Sequence, residues 1–200
     1  MSKNILGALC MVASITFFSL MDILVKITDE YAVGQILFFR ALFGLIPIFF
    51  LIPKNRLKDF YKTNRWGLHF YRSIFGAIAM AAIFIALRNL QLAEVTAMTF
   101  AGPIFVTLLS ILFLNEKVRA KRWSAVGLGF AGVLFMSRPG FESMNYYYIF
   151  PIIFCIGFAC VCIFIRKLTL LGESVWLIAF YFTLVSGLFG LATFPFGGWL

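Results

Sequence analysis

Long apolar stretches separated by short polar turns make up most of this chain. A helix of about 20 apolar residues crosses the ~30 Å hydrocarbon core of a bilayer. By this criterion the pattern predicts seven membrane-spanning helices, at 5–27, 33–52, 68–87, 95–114, 123–136, 147–165 and from 175 onward. The fifth is the shortest, but it has to cross the membrane if the charges of its flanking loops are to stay consistent.

The stretch 92–140 shows the pattern most clearly, because two apolar segments flank a short basic turn at 115–122. This arrangement predicts a membrane hairpin. The second segment matches G-x-G-x-x-G, with glycines at Gly127, Gly129 and Gly132. A dinucleotide site would need a strand before this motif. Both flanks are predicted helices here, so we interpret the three glycines as structural residues that let helices approach closely.

The composition agrees with a lipid environment. Hydrophobic residues make up 62% of the chain and charged residues 12%, whereas a soluble domain has about 45–50% and about 25%. The net charge of +9 does not indicate nucleic-acid binding, because most basic residues lie in three short loops between apolar segments. The lipid bilayer is therefore the expected partner, and no nucleic acid is expected.

The distribution of these charges predicts the orientation. With the N-terminus inside, the inner loops receive twelve basic residues and the outer loops receive only Arg88 and Arg138. Cytoplasmic loops carry the excess of lysine and arginine. We therefore expect a multi-pass protein of a bacterial inner membrane with a cytoplasmic N-terminus.

An internal repeat predicts the domain organisation. Residues 24–28 resemble residues 165–169, and the sequence from Val33 matches that from Val175. We interpret 1–140 as a first five-helix repeat and 141–200 as the start of a second repeat with two helices. Five spans per repeat is an odd number, so the second copy would be inverted in the membrane, as in many secondary transporters. Because this second repeat lacks three helices, we expect the sequence to be a fragment.

Ionisable residues within predicted spans are the first candidates for a binding site. Asp22 lies in the first span with Lys26 one turn away, and Arg40 lies in the second span at a similar depth. These residues predict an outward-facing polar cluster that binds substrate, with Lys26 as a structural partner. The alternative is a structural ion pair between Asp22 and Lys26. Arg72, near the inner end of the third span, is either a substrate contact or a side chain that extends to the headgroups.

The fourth span contains a second group of candidates. Gly102-Pro103 interrupts it, and broken helices mark binding sites in transporters. Thr96, Thr99 and Pro103 recur at helical spacing and are predicted to line the substrate cavity, with a packing kink as the alternative. Glu116, among four basic residues, is predicted to form a salt bridge that holds the hairpin.

Other classes of site find little support in the residues. The four cysteines lie in apolar segments, and the only histidine, His69, lies near a predicted membrane boundary and is expected at the interface. Their spacing does not suit a metal site. No nucleotide-binding loop is present in the sequence. We predict no metal, no cofactor and no enzymatic activity.

Several short motifs are similar to those of a known family. They are FFRA at 38–41, YRS at 71–73, AEVTA at 93–97, PIFV at 103–106, LNEK at 114–117 and the glycines of the fifth segment. On these motifs the chain resembles the EamA branch of the drug/metabolite transporter superfamily. The order of the segments is also similar to that of bacterial uptake transporters for S-adenosylmethionine. The resemblance implies ten helices in two five-helix repeats, cytoplasmic termini and a central substrate cavity.

The sequence therefore predicts an all-α, polytopic membrane helix bundle that acts as a secondary transporter for a small organic metabolite. The two repeats would rock about a midplane cavity and expose it alternately to each side of the membrane. Two alternatives are an accessory or assembly protein of the membrane without transport activity and an integral membrane enzyme. Substrate, direction, coupling ion and oligomeric state, including a homodimer, stay open.

Overall fold

The structure is a computed structural model, which describes residues 3–28, 30–52, 62–114, 123–124, 127–128, 131 and 145–196. These residues form helices and turns, and none of them forms a strand. The helices are α1 (Lys3–Ile27), α2 (Val33–Leu51), α3 (Trp66–Asn89), α4 (Leu92–Thr99), α5 (Gly102–Leu114), α6 (Ile149–Leu170) and α7 (Val175–Ala192). Short 3-10 turns precede α6 and follow α7, at Tyr146–Tyr148 and Phe194–Phe196.

Six helical segments are long and apolar enough to cross a membrane, among the residues described. They are Ile5–Ile27, Val33–Phe50, Trp66–Asn89, Leu92–Phe113, Tyr146–Leu170 and Val175–Ala192. This confirms the predicted all-α, multi-pass architecture. The spans predicted at 68–87 and 147–165 are a few residues longer in the structure. Most of the predicted fifth span, 123–136, lies outside the described residues, as do Glu116, Gly129 and Gly132. Gly127 is described and exposed, and a Cβ atom there would meet no described atom within 4 Å.

The last two helices lie between the helices of the first part of the chain. Helix α7 packs between α2 and α3, and α6 packs between α3 and the broken pair α4 and α5. Helix α1 contacts α3 and stays mostly exposed. The two predicted repeats therefore interdigitate through α3, which contacts α1, α2, α4, α6 and α7. Their boundaries at 140 and 141 stay a prediction.

Small residues on α3 allow its two main neighbours to come close. Its buried positions include one serine, one glycine and four alanines: Ser73, Gly76, Ala77, Ala79, Ala82 and Ala86. On the α6 side, a Cβ atom built on Gly157 would lie 2.9 Å from the Cβ of Ala79. Membrane helices lack a hydrophobic force that drives them together and associate largely by such close packing. The small side chains thus explain why α3 sits at the centre of the bundle.

Helices α2 and α7 cross in antiparallel orientation at a glycine contact. A Cβ atom on Gly190 would lie 2.6 Å from the carbonyl oxygen of Gly34 and 2.7 Å from the backbone nitrogen of Phe38. Further along, Gly187 meets Ala41, and Gly44 meets Thr183. The contact at Gly190 is made with backbone atoms, which cannot rotate away. A larger residue at position 190 must therefore push the helices apart.

We expect Gly190→Ala to lower the free energy of unfolding by about 1–3 kcal/mol, the usual effect of overpacking. The measurement is the thermal unfolding midpoint of the detergent-solubilised chain. Gly7→Ala is the matched control, because no described atom lies within 4 Å of a Cβ at Gly7 and alanine favours a helix over glycine by up to about 1 kcal/mol. Equal midpoints for the two variants would contradict the close α2–α7 contact.

Candidate substrate-binding site

Two arginines from different helices lie against one aromatic ring inside the predicted spans. The guanidinium carbon of Arg72 on α3 is 4.1 Å from the ring centroid of Phe182 on α7. The guanidinium carbon of Arg40 on α2 is 5.9 Å from the same centroid. The two guanidinium carbons are therefore no more than about 10 Å apart. The structure brings Arg40 and Arg72, predicted separately from the sequence, into one cluster.

A glycine makes room for this arrangement. Arg72 and Gly76 lie one turn apart on α3 and share a face. A Cβ atom on Gly76 would approach the Cε2 atom of Phe182 to 2.7 Å. The missing side chain lets the ring of Phe182 approach α3 closely, with its centroid 4.1 Å from the guanidinium carbon of Arg72.

The ring offsets only part of the cost of these two cations. Insertion scales put an arginine at the centre of a spanning helix at about 2.5–3.5 kcal/mol, whereas one cation–π contact contributes about 0.5–2 kcal/mol. Arg72 is only 9% exposed, and its Nε and Nη1 atoms have no hydrogen-bond partner among the described residues. The hydroxyls of Ser73 and Ser186 are also buried without a hydrogen-bond partner among the described residues. The cluster thus holds polar groups whose bonding capacity the described residues do not use.

A groove along one side of α2 reaches Arg40, one member of this cluster. Its volume is about 290 Å³, close to the lower end of the range for ligand pockets. Its lining residues are Thr28, Tyr31, Gln35, Ile36, Phe39, Arg40 and Phe43. The groove therefore runs from the end of α1, on the predicted outer side, to Arg40.

The predicted cluster of Asp22, Lys26 and Arg40 takes a different form. The ammonium of Lys26 donates a hydrogen bond of 2.6 Å to the carbonyl oxygen of Leu90. Asp22 is half-buried and forms no ion pair with Lys26 or Arg40 in the described part of the chain. Lys26 thus fastens α1 to the end of α3, and a role of Asp22 in binding stays a prediction.

The break in the fourth span is present as predicted, but the three residues predicted to line a cavity there are not buried. Thr96 and Pro103 are exposed, and Thr99 is half-buried. The hydroxyl of Thr96 donates to Leu92 O, and that of Thr99 donates to Thr96 O. No described contact joins these three residues to Arg40 or Arg72, so their place in a cavity stays a prediction. The opposite side of the helix packs on α6, where the thiol of Cys155 lies 3.5 Å from Met98 O.

A second polar cluster joins the two repeats at the predicted inner end. Glu173 accepts a 2.7 Å hydrogen bond from the hydroxyl of Thr63, and its other oxygen lies 3.6 Å from His69 Nε2. His69 is 1% exposed, with its ring 4.9 Å from that of Tyr181. The histidine is therefore buried between helices at the predicted inner end of the bundle, and its depth at the membrane interface stays a prediction. A cleft of about 730 Å³ opens beside this cluster, lined by Lys62, Thr63, Asn64, Arg65, Trp66, Leu171 and Glu173.

Three members of these clusters were not found by sequence reasoning. Phe182, Glu173 and His69 gain their importance from residues far away in the chain. The repeat gave a usable signal for Phe182, because the match of Val33 with Val175 aligns Arg40 with Phe182. In the described residues, no three His, Cys, Asp or Glu side chains come together to hold a metal ion.

Comparison with known proteins places this fold in a family. The EamA-like transporter family matches residues 5–138, which is more than half of the chain. The chain belongs to the EamA-like transporter family. No solved structure matches it significantly.

Curated proteins similar to this EamA-like chain carry transporter names. It is 29% identical to the S-adenosylmethionine uptake transporter of Rickettsia felis over 160 residues, 78% of this chain and 53% of the relative. The transporter of the same name from Rickettsia prowazekii is 27% identical over 194 residues, 94% of this chain and 64% of the relative. The pseudopaline exporter CntI of Pseudomonas aeruginosa is 27% identical over 184 residues, 90% of this chain and 63% of the relative. The EamA-like chain therefore spans between about half and two thirds of the length of these relatives.

We expect Glu173→Ala to destabilise the inner end of the bundle by about 1–3 kcal/mol, because it removes the acceptor of Thr63 and the partner of buried His69. Trypsin should then cleave after Lys62 and Arg65 several-fold faster, since Thr63 holds this segment against Glu173. Glu30→Ala is the control, because Glu30 is an exposed carboxylate in the turn before α2. Unchanged cleavage rates in Glu173→Ala would show that this contact does not hold the segment.

Proposed function

We propose that this EamA-like protein is a secondary transporter that moves a small organic metabolite across the bacterial inner membrane. Membership of the family is the observation that carries this proposal. The polar cluster of Arg40, Phe182 and Arg72, with a groove that reaches Arg40, supports it further. Such a site has a use in a transporter, which must hold a solute at membrane depth. Neither alternative, an accessory protein or a membrane enzyme, explains the cluster as well.

Alternating access between two inverted repeats is the proposed mechanism. Helix α7 is the predicted repeat counterpart of α2, and the two pack against each other in antiparallel orientation. This is the relation expected for counterparts near a two-fold axis in the membrane plane. Thr28 and Thr169, at matching positions, donate to Leu24 O and Ile165 O in the same way. Hydrogen bonds from threonine to the preceding turn are common in helices. The antiparallel contact between α2 and α7 therefore supports the inverted repeat more strongly than these two bonds do.

The cargo proposed for a first test is S-adenosylmethionine, the solute in the names of two relatives. The name of a third relative specifies export of a different molecule. Because these names include both directions, the assay has to measure flux in either direction.

The 200-residue protein reconstituted in liposomes should exchange tritiated S-adenosylmethionine for the unlabelled compound inside. We expect saturable flux above that of liposomes without protein, and competition by unlabelled compound in the medium. A second panel of labelled amino acids and opine-type acids covers other small metabolites. Flux equal to that of empty liposomes for every compound would reject the transporter proposal and favour an accessory role.

Orientation is tested with single cysteines in a variant without the four native ones. With the proposed cytoplasmic N-terminus, a cysteine replacing Tyr146 lies outside and one replacing Lys62 lies inside. Both native side chains are exposed. A membrane-impermeant maleimide should label the Tyr146→Cys protein in intact cells and the Lys62→Cys protein only after permeabilisation. The reverse labelling pattern would establish the opposite orientation.

A further inference from the structure

The cluster of Arg40, Phe182 and Arg72 holds two positive charges without a negative one. The part of the chain that the structure describes contains four carboxylates, and none of them forms an ion pair with Arg40 or Arg72. One of the four, Glu173, contacts Thr63 and His69 instead. Charged groups inside a membrane protein usually pair or contact a substrate. We therefore expect an anion to bind beside the two cations that share this ring.

The donors available at the cluster indicate where that anion would bind. Arg72 is more than nine-tenths buried, yet its Nε and Nη1 atoms have no acceptor among the described residues. Arg40 makes no hydrogen bond to another described residue either, and it lies at the wall of the 290 Å³ groove. A ligand in the groove thus meets Arg40 first, whereas Phe182 and Arg72 are not among the residues that line the groove.

The cluster is held in place before any ligand arrives. The ring of Phe182 lies in the space that Gly76 leaves on α3, one turn from Arg72. On the other side of α7, Gly187 and Ala41 bring α2 close, one residue from Arg40. Since packing between these helices fixes the backbone positions of Arg40, Arg72 and Phe182, binding has to rearrange only side chains, which favours affinity.

The geometry favours a carboxylate over a phosphate. The guanidinium carbon of Arg72 lies 4.1 Å from the centroid of the Phe182 ring, and the donors of a guanidinium lie in its own plane. A planar carboxylate accepts hydrogen bonds in that plane. A phosphate has further oxygens outside the plane, and among the described residues only the two arginines lie over this ring.

We infer that Arg40 and Arg72, held on Phe182, bind a carboxylate group of the transported solute. That the solute is transported rests on the proposed function. That a carboxylate binds rests on the cluster itself. It assigns the site to organic acids or amino acids and their derivatives. Neutral solutes and solutes whose only anionic group is a phosphate are not expected to bind there.

The test measures binding by the purified chain in detergent, without transport. The probe is sodium benzoate, with neutral benzamide as its isostere and inorganic phosphate as the other oxyanion. We expect benzoate to raise the thermal unfolding midpoint, as a ligand of the folded state does, and the other two to leave it unchanged. The rise should be lost in Arg72→Met and Arg40→Met and be reduced in Arg72→Lys, which keeps the charge but not the planar fork.

Lys167→Met is the matched control. The ammonium of Lys167 also lies 5.9 Å from an aromatic ring, that of Phe113, but at the far end of α6. This variant should keep the full benzoate effect. Equal effects of benzoate and benzamide, or a benzoate effect retained in Arg72→Met, would overturn the inference. Stabilisation by phosphate but not by benzoate would overturn the assignment to carboxylates.

A second measurement uses the wild-type protein, so it does not depend on the variants folding. Phenylglyoxal modifies arginine, and mass spectrometry reports the modified position. Benzoate should slow the modification of Arg40 and Arg72 several-fold and leave exposed Arg65 unaffected. Equal rates with benzoate and benzamide would contradict binding at the cluster. Carboxylate binding without flux would reject only the transporter proposal, whereas flux without such binding would reject only this inference.

Discussion

The close approach of α3 to α6 and α7 is the constraint on which the other features of the bundle depend. In lipid, helices associate by packing rather than by leaving water, so the small residues of α3 decide where its neighbours can lie. Ala79 faces Gly157 on α6, and Gly76 faces Phe182 on α7. Through these contacts, two helices of the predicted second repeat lie within the first. The arginine cluster is a consequence, because Arg72 is one turn from Gly76.

The basic residues of the bundle have two different kinds of partner. At the predicted outer end, Lys26 donates to Leu90 O, and Arg88 donates to the carbonyl oxygens of Thr28 and Tyr31. Carbonyl groups at the end of a helix have no intrahelical donor, so these two cations satisfy them and tie α1 to α3. Arg40 and Arg72 share a ring instead. The first pair is therefore explained by the fold, and for the second pair we infer a ligand.

Much of the fold could be predicted from the sequence, because span length and loop charge act locally. Six of the seven predicted spans correspond to the six described ones, and the break at Gly102-Pro103 separates α4 from α5. The site was only partly predictable. Arg40 and Arg72 were found because a charge in an apolar run is visible in the sequence, but nothing local shows that Phe182 joins them. Burial of His69 likewise depends on Tyr181 and Glu173, more than 100 residues away.

The predicted repeat gives a reason for the composition of the cluster. Under the alignment of Val33 with Val175, Arg40 and Phe182 are counterparts. Counterparts that touch lie near the two-fold axis, and an unchanged copy would place two arginines against each other there. Like charges at that distance in a low-dielectric interior repel strongly. Phenylalanine at position 182 removes this repulsion and presents a ring to both Arg40 and Arg72. Under the predicted alignment, the difference between positions 40 and 182 would thus replace a repulsive contact by a site with charge on one side and an aromatic surface on the other.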